Sequence, residues 1–164
     1  MTWGISTATF IQIHVVLSLI GIVSGLVVFY GLLMNYRSCS WTALFLVTTI
    51  LTSVTGFPLP PFGFDPPRAF GIISLVLLAA TVVALYVFRL DGVWRLIFCA
   101  TAIAALYLNC FVGVVQAFQK LPFLQALAPT QSEPPFLVAQ AALLVAFVIF
   151  GIPAARRYRP PAQL

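Results

Sequence analysis

The sequence predicts an all-α, polytopic membrane bundle of five transmembrane helices, with the N-terminus outside and the C-terminus cytoplasmic. Five apolar runs, at about 8–34, 41–57, 69–88, 96–118 and 136–155, each approach or exceed the roughly 20 residues that a helix needs to cross a hydrocarbon core. The 164 residues are 62% hydrophobic and 7% charged, with a mean hydropathy of +1.12, which leaves too little polar surface for a water-soluble globule. With the N-terminus outside, Arg37, Arg89, Arg95, Arg156, Arg157 and Arg159 gather on the cytoplasmic side and Arg68 and Lys120 lie opposite, so six of eight basic residues obey the positive-inside bias.

The first run is far longer than a signal-peptide core and follows a start, Met1 to Phe10, without a basic region, so it reads as a retained span. Trp3, Trp41 and Trp94 mark span ends as interface anchors. The two cytoplasmic connections, 35–40 and 89–95, are short and polar, as tight hairpins between antiparallel neighbours require. The outer connections, 58–68 and 119–135, hold nine of the twelve prolines: Pro58, Pro60, Pro61, Pro66, Pro67, Pro122, Pro129, Pro134 and Pro135. Proline fixes φ and disfavours helix in the preceding residue, so these loops are expected to be extended and stiff. Phe57, Phe62, Phe64, Phe70, Phe123 and Phe136 suit them to the headgroup boundary, where Phe123 to Leu127 is expected to form one interfacial helical turn. Ser132, Glu133, Pro134 and Pro135 read as the start of the fifth span, with Ser132 as the hydroxyl cap. No repeat or separate soluble segment appears, so residues 1–164 form a single transmembrane domain.

The net charge of +5 comes from residues scattered at helix ends, which points to membrane orientation and not to nucleic acid. Cys39, Cys99 and Cys110 lie too far apart for a CxxC pair or a metal knuckle and read as small packing residues. No span carries a carboxylate and His14 is the only histidine, so a metal site has no ligand set and proton-coupled transport has no acid to run on.

In hydrocarbon a polar side chain needs a partner, so its placement is informative. His14, Ser18, Gly21 and Gly25 recur at one helical face, and Gly21 to Gly25 is a GxxxG that lets a neighbouring backbone approach. Thr48, Thr52 and Thr55 align in the second span beside Thr49, Ser53 and Gly56. Asn109, Gly113, Gln116 and Lys120 share a face of the fourth, and Gln140 lies in the fifth. His14, Thr52, Thr55, Asn109, Gln116 and Gln140 all fall in the outer half of the membrane, under the Pro-rich loops. Two arrangements satisfy this pattern: an outward-facing polar pocket, with Tyr107 at its floor, or a network in which these groups bond one another across helices. Asp65 and Glu133 are the outer acids and Arg68 and Lys120 the outer bases, available to tie the two loops by ion pairs or to stand solvated at helix ends.

The expected function is non-enzymatic binding of a small amphipathic ligand or membrane lipid, with His14, Thr52, Thr55, Tyr107, Asn109, Gln116, Lys120 and Gln140 as contacts. Lys120 offers a positive charge to an anionic headgroup or carboxylate. No cofactor is expected. Two alternatives stay open: an accessory or assembly subunit of a larger membrane complex or homo-oligomer, and a redox protein associated with quinone or haem, a bis-histidine haem requiring a homodimer.

The stretch Ala105 to Gln140 contains Leu106-Tyr107-Leu108-Asn109, Val115-Gln116-Ala117-Phe118 and Ala128-Pro129-Thr130-Gln131-Ser132-Glu133-Pro134-Pro135-Phe136. It resembles a group of small bacterial inner-membrane proteins with no assigned activity. The resemblance implies residence in a bacterial inner membrane and supplies no reaction.

Overall fold

The computed structural model describes residues 6–59 and 66–159, and every regular element among them is helical. Trp3, Pro60, Pro61, Phe62, Phe64 and Asp65 lie outside the described residues. Five helices are long and apolar enough to span a membrane: α1 (Thr7–Leu33), α2 (Cys39–Gly56), α3 (Pro66–Val82, extended by a π-helical turn over Val83–Val87), α4 (Val93–Lys120) and, after the short α5 (Pro122–Leu127), α6 (Pro134–Arg157). Consecutive long helices run antiparallel, and α4 is the hub that packs on α1, α3 and α6.

Each boundary has a local cause. Ser6 caps α1 by accepting from the Thr9 N–H at 3.2 Å. At its other end Asn35 adopts φ +58° and folds the chain back, so that the Tyr36 N–H donates to the Gly31 carbonyl at 2.7 Å. Only glycine fits at 31, because a Cβ there would stand 2.6 Å from the Tyr36 carbonyl oxygen. Proline opens α3, α5 and α6 at first-turn positions where no donor is needed. The cap of α6 is Glu133 and not the expected Ser132: the Glu133 carboxylate accepts from the backbone of Thr130 at 3.0 Å and of Ser132 at 3.1 Å, which fixes the entering loop. At the end of α3 the ladder widens to π bonding, with the Phe88 N–H donating to Val83. Arg89, Leu90 and Gly92 then turn at positive φ into α4, with Phe88 stacked on Trp94.

The surface differs from that of a water-soluble bundle, although the core is still mostly apolar. Large apolar residues such as Val16, Leu19, Val76, Val138 and Ile149 are exposed, whereas Ser24, Thr42, Thr49, Ser74 and Thr81 are buried. Such a surface suits a membrane, in which there is no hydrophobic drive between helices and a bundle must be held by close approach and hydrogen bonds. Small residues provide that approach. Cys99, Ala102 and Ala105 bury one face of α4, and Gly21, Ser24, Gly25 and Gly31 bury the face of α1. A Cβ on Gly25 would sit 2.4 Å from Leu106 Cδ1 and 2.9 Å from the Phe45 ring, so α1 is lodged between α2 and α4 only because that side chain is missing.

At the Arg-rich end Tyr158 is fully buried although it follows the last helical turn. Arg95 donates to its carbonyl, and the Arg159 N–H donates to Asn35 Oδ1 at 2.5 Å. Burial holds the Tyr158 phenol above its ordinary range, against the opposing pull of the Arg37 charge.

Gly25→Leu is expected to destabilise the bundle by about 1–3 kcal/mol or more through overpacking, read as a lowered melting temperature in detergent. Gly56→Ala, whose Cβ would meet only His14 Cε1 at an ordinary 3.5 Å, is expected to stay within about 0.5 kcal/mol of the parent.

Candidate functional site

Besides the Thr81–Thr101 hydrogen bond that ties α3 to α4 at 2.7 Å, three groups of polar residues stand out. The largest follows the seam between α1, α2 and α4. Near the proline-rich end His14 Nδ1 and Thr55 Oγ1 are hydrogen-bonded at 2.9 Å. Deeper, Ser18 donates to Asn109 Oδ1 at 3.2 Å. Below that pair stands Gly21, where a built Cβ would lie 3.0 Å from both Asn109 Nδ2 and Thr49 Oγ1 and 3.4 Å from Thr48 Oγ1. Asn109 Nδ2 and Thr49 Oγ1 are both buried without a hydrogen-bond partner, and both converge on this glycine.

Thr49 is an exception on α2. Thr42, Thr48, Thr52, Ser53 and Thr55 each donate to the carbonyl four residues earlier at 2.7–3.0 Å, which satisfies a hydroxyl inside its own helix. Thr52 therefore lines the seam already bonded to the Thr48 carbonyl. Lys120 is exposed at the end of α4, on the side of the bundle where the His14–Thr55 pair lies.

One helical turn further, the seam closes. Leu106 and Phe45 fill the space beside Gly25, and Val28, Leu32, Leu46 and Phe98 continue an apolar core toward the Arg-rich end. At 1.5 Å per residue Asn109 stands about 4 Å beyond the midpoint of α4, whereas His14 lies about 9 Å from the midpoint of α1, so the polar seam runs from one end to roughly the middle of the bundle and stops.

The second group is on the α6 side of α4. Gln140 is buried and donates through Nε2 to the Phe111 carbonyl at 3.2 Å, while its Oε1 has no partner. Tyr107 packs edge-on against Phe147 and lines an apolar groove of about 270 Å³ with Ala104 and Gly151, so it does not floor the seam. The third group is an amide chain at the loop: Gln116 donates to Gln119, Gln119 to Gln131, and Gln131 to the Val115 carbonyl at 3.1 Å. Gln116 thus fastens the segment after α5 and turns away from His14's partners. Of the expected contacts, the fold brings His14, Thr52, Thr55 and Asn109 to one seam, with Lys120 at its mouth, and separates Tyr107, Gln116 and Gln140 from it. Ser18 and Thr49, read from sequence only as neighbours on the polar faces, join the seam.

At the proline-rich end Arg68 and Glu133 have local partners. Arg68 donates to the carbonyls of Phe57 and Leu59, the latter at 2.7 Å, and Glu133 accepts from Thr130 and Ser132. Desolvation pushes the Glu133 carboxyl up, but the bonds from Thr130, Ser132 and its own backbone outweigh it and hold the group below its ordinary 4.5. Among the described residues no group of three or more His, Cys, Asp or Glu is placed to hold a metal, and all three cysteines are free.

No protein-family model, curated protein or solved structure matches the chain.

A double-mutant cycle of His14→Ala and Thr55→Val, read by reversible unfolding, is expected to give a coupling of about 0.6 kcal/mol and at most ~1.7, the range for hydrogen bonds between helices in a membrane. Because the folded Glu133 carboxyl is lowered, the order it gives the α6 entry loop is fully present above pH 4.5 and is lost as pH falls through the folded value. Amide-exchange protection of Thr130 and Ser132 is expected to hold at neutral pH and vanish on acidification, and to be pH-independent in Glu133→Gln.

Proposed function

We propose that this chain is a multi-pass protein of a bacterial inner membrane, with its N-terminus outside and its C-terminus cytoplasmic, that binds a small amphipathic ligand or lipid without chemically changing it. The ligand's polar end enters the α1–α2–α4 seam from the proline-rich side. The observation that carries the reading is the pair of buried, unpartnered groups, Asn109 Nδ2 and Thr49 Oγ1, that converge on Gly21. A buried donor without a partner costs about 1–3 kcal/mol, a cost that a bound acceptor removes. A carbonyl or ether oxygen suits the Asn109 amide, and the Thr49 hydroxyl can donate or accept.

The other groups fit the same task. With Nδ1 engaged by Thr55, the His14 ring offers Nε2 to a ligand passing the mouth, where Lys120 favours an anionic group. The apolar stop below Gly21 supports binding over transport, since a transported molecule needs a path through Leu106 and Phe45. A second reading, an accessory subunit of a larger complex, draws on α6. That helix buries one face, along Phe136, Gln140, Phe147, Gly151 and Ala154, and exposes Leu137, Val138, Leu144, Val145, Ile149 and Phe150 on the rest, which are free for lipid or a partner chain.

Native mass spectrometry of the chain purified from its own membrane distinguishes these. The expected outcome is one co-purifying amphiphile, reduced about tenfold in Asn109→Leu while the variant keeps its fold. The same bound mass at the same occupancy in both proteins overturns the binding reading. Loss of expression of Asn109→Leu assigns the seam to bundle stability instead, and a stoichiometric protein partner on α6 establishes the subunit.

A further inference from the structure

At the Arg-rich end, opposite the seam, the return of the chain from α1 to α2 encloses a chamber of about 250 Å³. Tyr30 and Met34 of α1, Tyr36, Arg37 and Ser38 of the turn, and Trp41 of α2 line it. We propose that this chamber binds the phosphate headgroup of an anionic phospholipid, with the Arg37 guanidinium as its counter-charge.

Several independent features meet here. Arg37 Nε is buried without a hydrogen-bond partner, and the rest of the guanidinium meets only uncharged groups, the Cys39 sulfur at 3.6 Å from Nη1 and the Tyr158 phenol. A guanidinium presents a planar fork of donors that matches phosphate oxygens, and no carboxylate of the described residues occupies this one. Charge at this end is one-sided: six of the eight basic residues lie in the two turns, the adjoining helix ends and the tail here, against the single acid Asp91. Ser38 caps α2 with no side-chain bond, so the first N–H groups of that helix reinforce the positive field at the chamber wall.

The surroundings select a lipid over a free anion. Val23, Val27, Tyr30 and Met34 follow one another at helical spacing along α1 and are all exposed, at 57%, 37%, 63% and 60%. They form an apolar stripe that leads out of the chamber along the membrane-length helix, where an acyl chain can lie. Trp41 and Tyr36, both exposed in part at the rim, are the amphipathic rings that favour the depth of glycerol and headgroup. A free phosphate uses the guanidinium alone and leaves the stripe and the aromatic rim without a role.

The test is native mass spectrometry of the purified full chain with dioleoyl-phosphatidylglycerol. Wild type is expected to retain a single lipid, and Arg37→Gln to retain it about tenfold less. Because Arg37 lies beside buried Tyr158, Ser38→Glu gives a second reading: an acid at this position suits a helix start and neutralises the chamber, so the protein should stay folded and lose the lipid. Arg157→Gln, an exposed charge at the same end, should retain it. The proposal is overturned if the two chamber variants keep the lipid as wild type does, or if dioleoyl-phosphatidylcholine is retained equally. Equal thermal stabilisation by inorganic phosphate alone reassigns the chamber to a free anion and overturns the lipid assignment.

Discussion

The bundle depends on how closely α1 is allowed to approach its neighbours. At Gly25 the space of a side chain is already taken by Leu106 and Phe45, and at Gly21 Asn109 Nδ2 and Thr49 Oγ1 come within 3.0 Å of where a Cβ would stand. The two glycines, one helical turn apart, perform different work. Gly25 lets hydrocarbon meet hydrocarbon, which gains dispersion contacts that no competing water-driven term could replace between apolar helices. Gly21 lets polar groups from two other helices reach the same point on α1. The boundary between apolar core and polar seam therefore falls between successive members of one GxxxG, and α1 carries both halves of the molecule.

Hydrogen-bond accounting separates the polar residues that merely tolerate the interior from those that remain demanding. A hydroxyl on a helix can satisfy itself by donating to the carbonyl one turn back, and Thr48, Thr52 and Ser53 all do so. Such residues cost little and bind nothing with that proton. Amides cannot close the account in this way, because an Asn or Gln side chain has two donors and an acceptor to place. Asn109 satisfies its oxygen with Ser18 and leaves its nitrogen bare; Gln140 satisfies its nitrogen with Phe111 and leaves its oxygen bare. Within the helical interior the bare groups are thus these two amides and the Thr49 hydroxyl, and of the two amides only Asn109 has a second bare group beside it.

Much of this was legible in the sequence. Apolar runs bounded by Arg, Trp and Pro located the five long helices to within a few residues, and the short α5 was foreshadowed by Pro122 and the following apolar turn. The α3 and α4 starts were placed too late, since proline and basic residues at first-turn positions look like loop although the helix accommodates them. Within the site, the Asn109 and His14 faces followed from helical spacing. Tyr107 did not belong with them for the same reason: two residues from Asn109 is about 200° around the helix, which points its ring toward α6. Gln116 shares the face of Asn109 yet bonds Gln119, a choice set by the position of the α5 loop that no periodicity encodes. The burial of Tyr158 had no signal at all, because it lies among arginines beyond the last apolar residue and is drawn inward only by the Arg95 and Asn35 bonds of other segments.

These bonds explain how the two ends can differ in chemistry without disturbing one another. At the proline-rich end the loops are held by backbone carbonyls and carboxylate caps, as in Arg68 on Phe57 and Leu59 and Glu133 on Thr130, so each connection is fixed mainly by its own neighbours in sequence. At the Arg-rich end the ties run across the chain: Arg95 at the start of α4 holds the end of α6, and the tail in turn engages the α1–α2 turn through Asn35. A perturbation there reaches α4, α6 and the α1–α2 turn, whereas the His14–Thr55 bond near the seam mouth ties only α1 to α2. Between them Phe45, Phe98, Leu106 and Leu32 are almost wholly buried and carry no polar group on their side chains. A close-packed apolar layer transmits little unless it has a second packing to adopt, and small residues at every crossing leave few voids for one. Polar seam and Arg-rich end are therefore separate polar regions on one scaffold, divided by that apolar layer.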